Sequence, residues 1–218
     1  MLTMSKSQVV QELKACGIVP VIRADSQDAA VRTAEALVRG GITTIEITMT
    51  VPDALGAMRS IAERLGNDAL LGAGTVTSRA IALDALAAGA RFLVTPCLIP
   101  DVITVAGERD VAVLPGALTP TEVFAAWSSG GDIVKVFPAS AVGGPAYLRA
   151  LKAPFPHIEL CPTGGVNLDT ISEFIKAGAA LVGVGGELVL KSAIQAGQYD
   201  RITELARRYL DAVARSRS

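Results

Sequence analysis

The chain has 218 residues, 50% hydrophobic and 19% charged, which suits one large domain or two small ones and is ample for a sizeable core. Its net charge of -1, with lysines and arginines scattered, offers no basic stripe for nucleic acid and no cluster for an anionic membrane. Mean hydropathy is +0.45, yet every apolar run is broken by Gly, Pro or charge well short of about 18 residues, so a soluble, cytoplasmic protein without polymer partners is expected.

In chain order, the opening MLTMSKSQVVQELKACG has helical apolar spacing at Val9, Val10, Leu13 and Cys16 and no apolar signal-peptide core. It predicts a lone helix before the first strand. Strand-like runs then alternate with helical segments: GIVPVIR, TTIEIT, LLGAGTV, RFLVTP, VAVLPGAL, IVKVFP, IELCPTGG and ALVGVGG. About eight strand and helix pairs with no Pro/Ser-rich linker predict one α/β domain over residues 1–218, a closed (β/α)8 TIM barrel; an open doubly wound sheet is the alternative. Gly40-Gly41, Gly89-Ala90, Gly130-Gly131 and Gly178-Ala179, each just before a strand, fit the left-handed residue that ends a helix. A last helix, QYDRITELARRYLDAVARS, closes the chain. Cys16, Cys97 and Cys161 form no close-spaced metal pattern, and their odd count argues against a disulfide framework; buried thiols are expected.

Side chains alternate along a strand, so each run can be read for what it turns inward. Strand one puts Arg23 on the parity of Val19 and Val21. In strand two, Ile45 and Ile47 can pack outward while Thr44, Glu46 and Thr48 point in, with Thr50 continuing that parity. Strand three puts Thr75 on the parity of Leu71 and Ala73. Strand six, GGDIVKVFPAS, is apolar except for Lys135, which is either a solvated lysine on an edge strand or an amine desolvated to make it nucleophilic. If Val134 and Val136 face the helices, Lys135 and Phe137 take the other side. A lysine, glutamate, arginine and threonine converging on the C-terminal strand ends favour catalysis over a structural ion pair.

Strand seven ends in Thr163-Gly164-Gly165 and strand eight in Gly185-Gly186, the two positions where barrels commonly grip a phosphate with backbone amides. GAGTV is too short for a dinucleotide fingerprint, and no acidic residue follows at the appropriate distance, so no nicotinamide cofactor is expected. The only histidine, His157, precedes strand seven and belongs at the opposite rim. No His pair or carboxylate cluster resembles a divalent-metal site, so neither metal nor cofactor is expected. A lysine amine adding to a ketone gives an iminium, an electron sink that allows the neighbouring carbon-carbon bond to break without a metal.

The ordered set GGITTIEIT, GAGTV, TPCL, LPGALTPTE, KVFPA and CPTGGV resembles the family of 2-keto-3-deoxy-6-phosphogluconate (KDPG) aldolases and 4-hydroxy-2-oxoglutarate (KHG) aldolases, across nearly the whole chain. The resemblance implies a homotrimeric class I aldolase that uses small-molecule 2-keto acids and aldehydes and makes pyruvate and glyceraldehyde 3-phosphate. By motif position it implies a Schiff base on Lys135 and a proton relay at Glu46. Thr75 and Pro96 would line the pyruvate end, Phe137 would pack by the lysine, and Thr163 would help hold the phosphate. Two departures stand out. Some members carry a carboxylate-binding arginine where this chain has Thr50, and Arg23 on the neighbouring strand is the expected replacement, since adjacent strands lie only about 4.8 Å apart. Others place a phosphate-binding serine where this chain has Gly186. The galactonate-series aldolase, a sugar-phosphate isomerase or epimerase, and a non-catalytic binding barrel are the alternative readings.

Overall fold

The computed structural model describes residues 4–217, so residues 1–3 and 218 of the predicted domain lie outside it. All eight predicted strands form: β1 Ile18–Ile22, β2 Thr44–Thr48, β3 Leu70–Gly74, β4 Phe92–Val94, β5 in two pieces (Ala112–Leu114 and Gly116–Ala117), β6 Val134–Val136, β7 Leu160–Pro162 and β8 Val182–Val184. Every pairing is parallel. One run joins β5, β4, β3, β2, β1 and β8; a second joins the later piece of β5 to β6 and β7. The runs meet at Pro115, which has no N–H to give a ladder and so divides β5. They meet again where Leu160 and Thr163 bridge to Ala179 and Gly183. The strands therefore follow one another around a TIM-like barrel, with β8 beside β1. That pairing excludes the open doubly wound sheet.

Helices cross over between successive strands: α2 Gln27–Arg39, α3 Ala54–Leu65, α4 Arg79–Ala87, α5 Pro100–Glu108, α6 Pro120–Ser128, α7 Pro145–Lys152 and α8 Ile171–Lys176. The side chains of Ser26, Asp53, Ser78 and Thr119 each accept a backbone N–H at a helix start, caps worth about 1 kcal/mol apiece. At the other ends Gly41, Gly89, Gly130 and Gly178 all have left-handed φ, from 95° to 106°, and turn the chain into the next strand. After β8 come α9 Lys191–Gln195 and α10 Tyr199–Arg217. Among the described residues no helix is long and apolar enough to cross a membrane.

The barrel interior explains the first helix, α1 Lys6–Cys16. Val19, Leu70, Phe92, Val94, Ala112, Leu114, Ile133, Cys161 and Leu181 form an inner apolar cluster, and Val9 and Leu13 of α1 belong to it. The helix thus seals the barrel at the N-terminal ends of the strands. Polar inward residues are left at the C-terminal end. The expectation of three buried thiols needs correction: Cys161 is buried, Cys16 is half-buried and Cys97 is exposed. Cys16 ends α1 and packs only at the edge of the outer core, and Cys97 lies past the end of β4.

Candidate active site

Strand parity places the lysine. Val134 and Val136 are fully buried in the cluster between strands and helices, whereas Ile133 belongs to the inner cluster, so Lys135 projects into the barrel at 5% exposure. Strand β2 follows the same rule, with Ile45 and Ile47 packed outward and Glu46 inside at 3% exposure. Its inward neighbours are occupied: the Thr44 hydroxyl donates to the Ile18 carbonyl, and that of Thr48 donates to Ile22 at 3.1 Å. Cys161 and Gly116 pair in register with Lys135, and Val21 and Gly72 pair with Glu46. Burial pushes the Glu46 carboxyl above its ordinary range, against the opposing pull of the Lys135 and Arg23 charges. Its Oε1 is buried with no hydrogen-bond partner. Burial likewise pushes the Cys161 thiol up to about 12, which keeps it neutral beside the lysine.

A cleft of about 230 Å³ opens above this layer, the size for a small metabolite. It gathers seven of the predicted residues: Arg23 past β1, Phe137 past β6, Thr163, Gly164 and Gly165 past β7, and Gly185 and Gly186 past β8. The Phe137 ring centroid lies 5.3 Å from the Lys135 amine and so connects the cleft to the buried layer. Thr163 is buried, and its side chain fills the space that a Cβ on Gly183 would need. The cleft also contains Val21, Val166, Gly183 and Glu187, which the sequence reading did not single out. Glu187 directly follows the two glycines of GVGGELV, and an adjacent charge was the signal available for it.

Three expected residues do not line this cleft. Thr50 is exposed just past β2 and shares a 2.8 Å hydrogen bond with Thr48. Pro96 is half-buried, and its backbone presses on Gly116, where a Cβ would collide with it. Thr75 requires a correction of parity. Leu71 and Ala73 belong to the outer cluster, so the inward residues of β3 are Leu70, Gly72 and Gly74. At Thr75 the chain leaves the strand with φ of 58°, which breaks the alternation on which its inward placement rested. The histidine does lie apart: His157 is exposed before β7, its ring edge-on to Trp127 at 4.7 Å.

An α/β barrel with buried charge beneath a glycine-rich cleft at its C-terminal rim has the build of a barrel enzyme. The model of the KDPG and KHG aldolase family matches residues 9–205, and the chain belongs to that family. It is an aldolase, a carbon-carbon lyase. It is 38% identical over 202 residues to the 2-dehydro-3-deoxy-phosphogluconate aldolase of Dickeya dadantii, covering 93% of this chain and 94% of that one. Identity to the KHG/KDPG aldolase of Escherichia coli K12 is 36% over 190 residues, covering 87% and 89%. A crystal structure of KDPG aldolase from Legionella pneumophila, with pyruvate captured at low pH as a covalent carbinolamine intermediate, matches with a TM-score of 0.85. That match has 33% identity and covers 92% of this chain and 97% of the other.

Proposed function

We propose that Lys135 forms a Schiff base with C2 of a 2-keto acid and that Glu46 carries the protons of the reaction. One observation carries this reading: among the described residues, these two are the only charged side chains that are buried, and both lie inside the barrel. The neutral amine of Lys135 attacks C2, and Glu46 transfers the protons that turn the carbinolamine into an iminium. Glu46 then takes the proton of the C4 hydroxyl as the C3–C4 bond breaks, its electron pair passing to the iminium. The resulting enamine is protonated and hydrolysed, which releases pyruvate and restores the amine. The substrates that fit the relatives' names are 2-dehydro-3-deoxy-6-phosphogluconate, giving glyceraldehyde 3-phosphate, and 4-hydroxy-2-oxoglutarate, giving glyoxylate. Incubation with pyruvate and borohydride, followed by intact mass, tests the reading. A reduced pyruvyl adduct supports it, and a protein left unmodified would overturn the Schiff base.

The two charges lining the cleft have separable parts in this reading. Arg23 is exposed at the cleft and near enough to Glu46 to pull its carboxyl downward, which supports a role in holding the substrate carboxylate. Arg23→Ala is expected to weaken both substrates alike by about 1.5 kcal/mol, the lower end for a hydrogen bond to a charged group because solvent screens the site. Adding Thr50→Arg is expected to restore part of that loss. Glu187 opposes a phosphate at the glycines, so Glu187→Gln is expected to lower KM roughly 2- to 5-fold for the phosphorylated substrate alone, and less at high salt. Steady-state kinetics with both substrates checks each point. An Arg23→Ala penalty confined to the phosphorylated substrate would instead make Arg23 a phosphate clamp.

We also infer a homotrimer in the cytoplasm. The exposed aromatic face of α6 supports the assembly: Phe124 and Trp127 lie 5.9 Å apart, and Phe124 stacks on Phe155 at 5.8 Å. A second copy would cover that apolar surface. The free thiols suit a reducing compartment. Light scattering is expected to give a trimer mass that falls for Phe124→Glu with Trp127→Glu; an unchanged mass would remove this face from the interface.

A further inference from the structure

Strand β3 turns two glycines into the barrel, and they have different neighbours. At Gly72 a Cβ would meet the ring of Phe92, so the missing side chain there serves core packing. At Gly74 a Cβ would overlap the Oε1, Cδ and Cγ atoms of Glu46. The backbone does not demand glycine at this position, since Gly74 is not among the positive-φ glycines and its carbonyl accepts an ordinary 2.8 Å bond from the Met49 amide. The demand is for space. Register adds a direction: the Glu46 backbone lies opposite Gly72, whereas Gly74 lies opposite Thr48, two residues nearer the C-terminal rim. The carboxyl therefore leans along the barrel toward the cleft and comes to rest against Gly74. Its buried Oε1 has no hydrogen-bond partner, so on that side it is placed by this contact.

We propose that Gly74 is a positioning residue for Glu46: its bare Cα makes the room that lets the carboxyl climb to the level of the reacting carbon. The inference rests on the reading of Glu46 as the proton carrier. A methyl group at Gly74 would push the carboxyl back down or aside, and a displacement of about 1 Å can cost on the order of 10²-fold in rate. Gly74→Ala is expected to lower kcat roughly 10- to 100-fold with KM for the keto acid little changed.

A double-mutant cycle separates this from a general packing defect. In a Glu46→Ala background the carboxyl is already gone, so adding Gly74→Ala is expected to cost no further rate. In a Glu46→Asp background, where the side chain is one methylene shorter, Gly74→Ala is expected to cost less than it does in the wild type. The shorter acid loses the Oε1 overlap, the most severe of the three, so this double variant has less to displace and keeps the comparison available if Gly74→Ala alone folds poorly. An equal loss from Gly74→Ala in the wild-type and Glu46→Ala backgrounds, or an unchanged kcat in Gly74→Ala, overturns the proposal. Full activity in Glu46→Ala would instead overturn the reading of Glu46 beneath it.

Discussion

Lys135→Ala is expected to reduce cleavage to the limit of detection and to abolish the borohydride-trapped pyruvyl adduct, while the protein still folds. The chemical loss is complete because nothing nearby can replace the amine: the Cys161 thiol is held neutral, with its pKa pushed up to about 12. The cost to folding is limited for an electrostatic reason. Removing the lysine takes away one of the two charges that pull the Glu46 carboxyl downward, so that carboxyl takes up a proton instead of remaining an unpaired buried charge. Peptide mapping of the wild-type adduct is the sharper measurement. Lys152 already donates to the carbonyls of Pro156 and Ile158 at 2.8 and 2.9 Å, which holds its ammonium away from the barrel interior. Lys176 sits in the last turn of α8. An adduct on either would show that the Schiff base forms elsewhere.

What could be read ahead of the structure depended on contrast between the two faces of a strand. In β2 and β6 the outward residues are Ile45, Ile47, Val134 and Val136, so a glutamate or a lysine on the other parity marks the interior without ambiguity. In β3 both parities of LLGAGTV are small or apolar, so the phase is illegible, and the parity of Leu71 and Ala73, which face outward, cannot place Thr75. Helical spacing in α1 reveals an apolar stripe but not its destination. That Val9 and Leu13 close the barrel depends on contacts distant in sequence. Pro96 rests on motif position alone, which carries no distance, and Thr50 extends the parity of β2 past its last residue, Thr48, where no ladder holds the alternation. The glycines of GVGGELV signal backbone donors and give no sign that the Glu187 charge reaches the same cleft. The role of Gly74 was invisible for a related reason, because an absent side chain has meaning only once the neighbouring atoms are known.

Glu46→Gln is the second substitution with a large expected effect: turnover is expected to fall by roughly 10²- to 10⁴-fold, since glutamine keeps the shape of the side chain but cannot exchange protons. The stability of the same variant distinguishes a proton carrier from a structural ion pair. Burial raises the Glu46 carboxyl above its ordinary value of 4.5, so the folded protein holds that proton more tightly than the unfolded chain does. The resulting stabilisation is fully present below the unfolded value and is lost as pH rises through the raised native one. Above the native value the wild type bears a buried charge whose Oε1 lacks a hydrogen bond, and the glutamine variant does not. Its melting temperature is therefore expected to equal or exceed that of the wild type above the native value, with the difference shrinking on acidification. Kinetics supply a second sign: as a base Glu46 works only when ionised, so wild-type kcat is expected to rise with pH through its raised value, and the variant is expected to lose that limb. A melting temperature that drops at neutral pH while turnover persists would make Glu46 the structural partner of Lys135, and the proton transfers would then belong to another group.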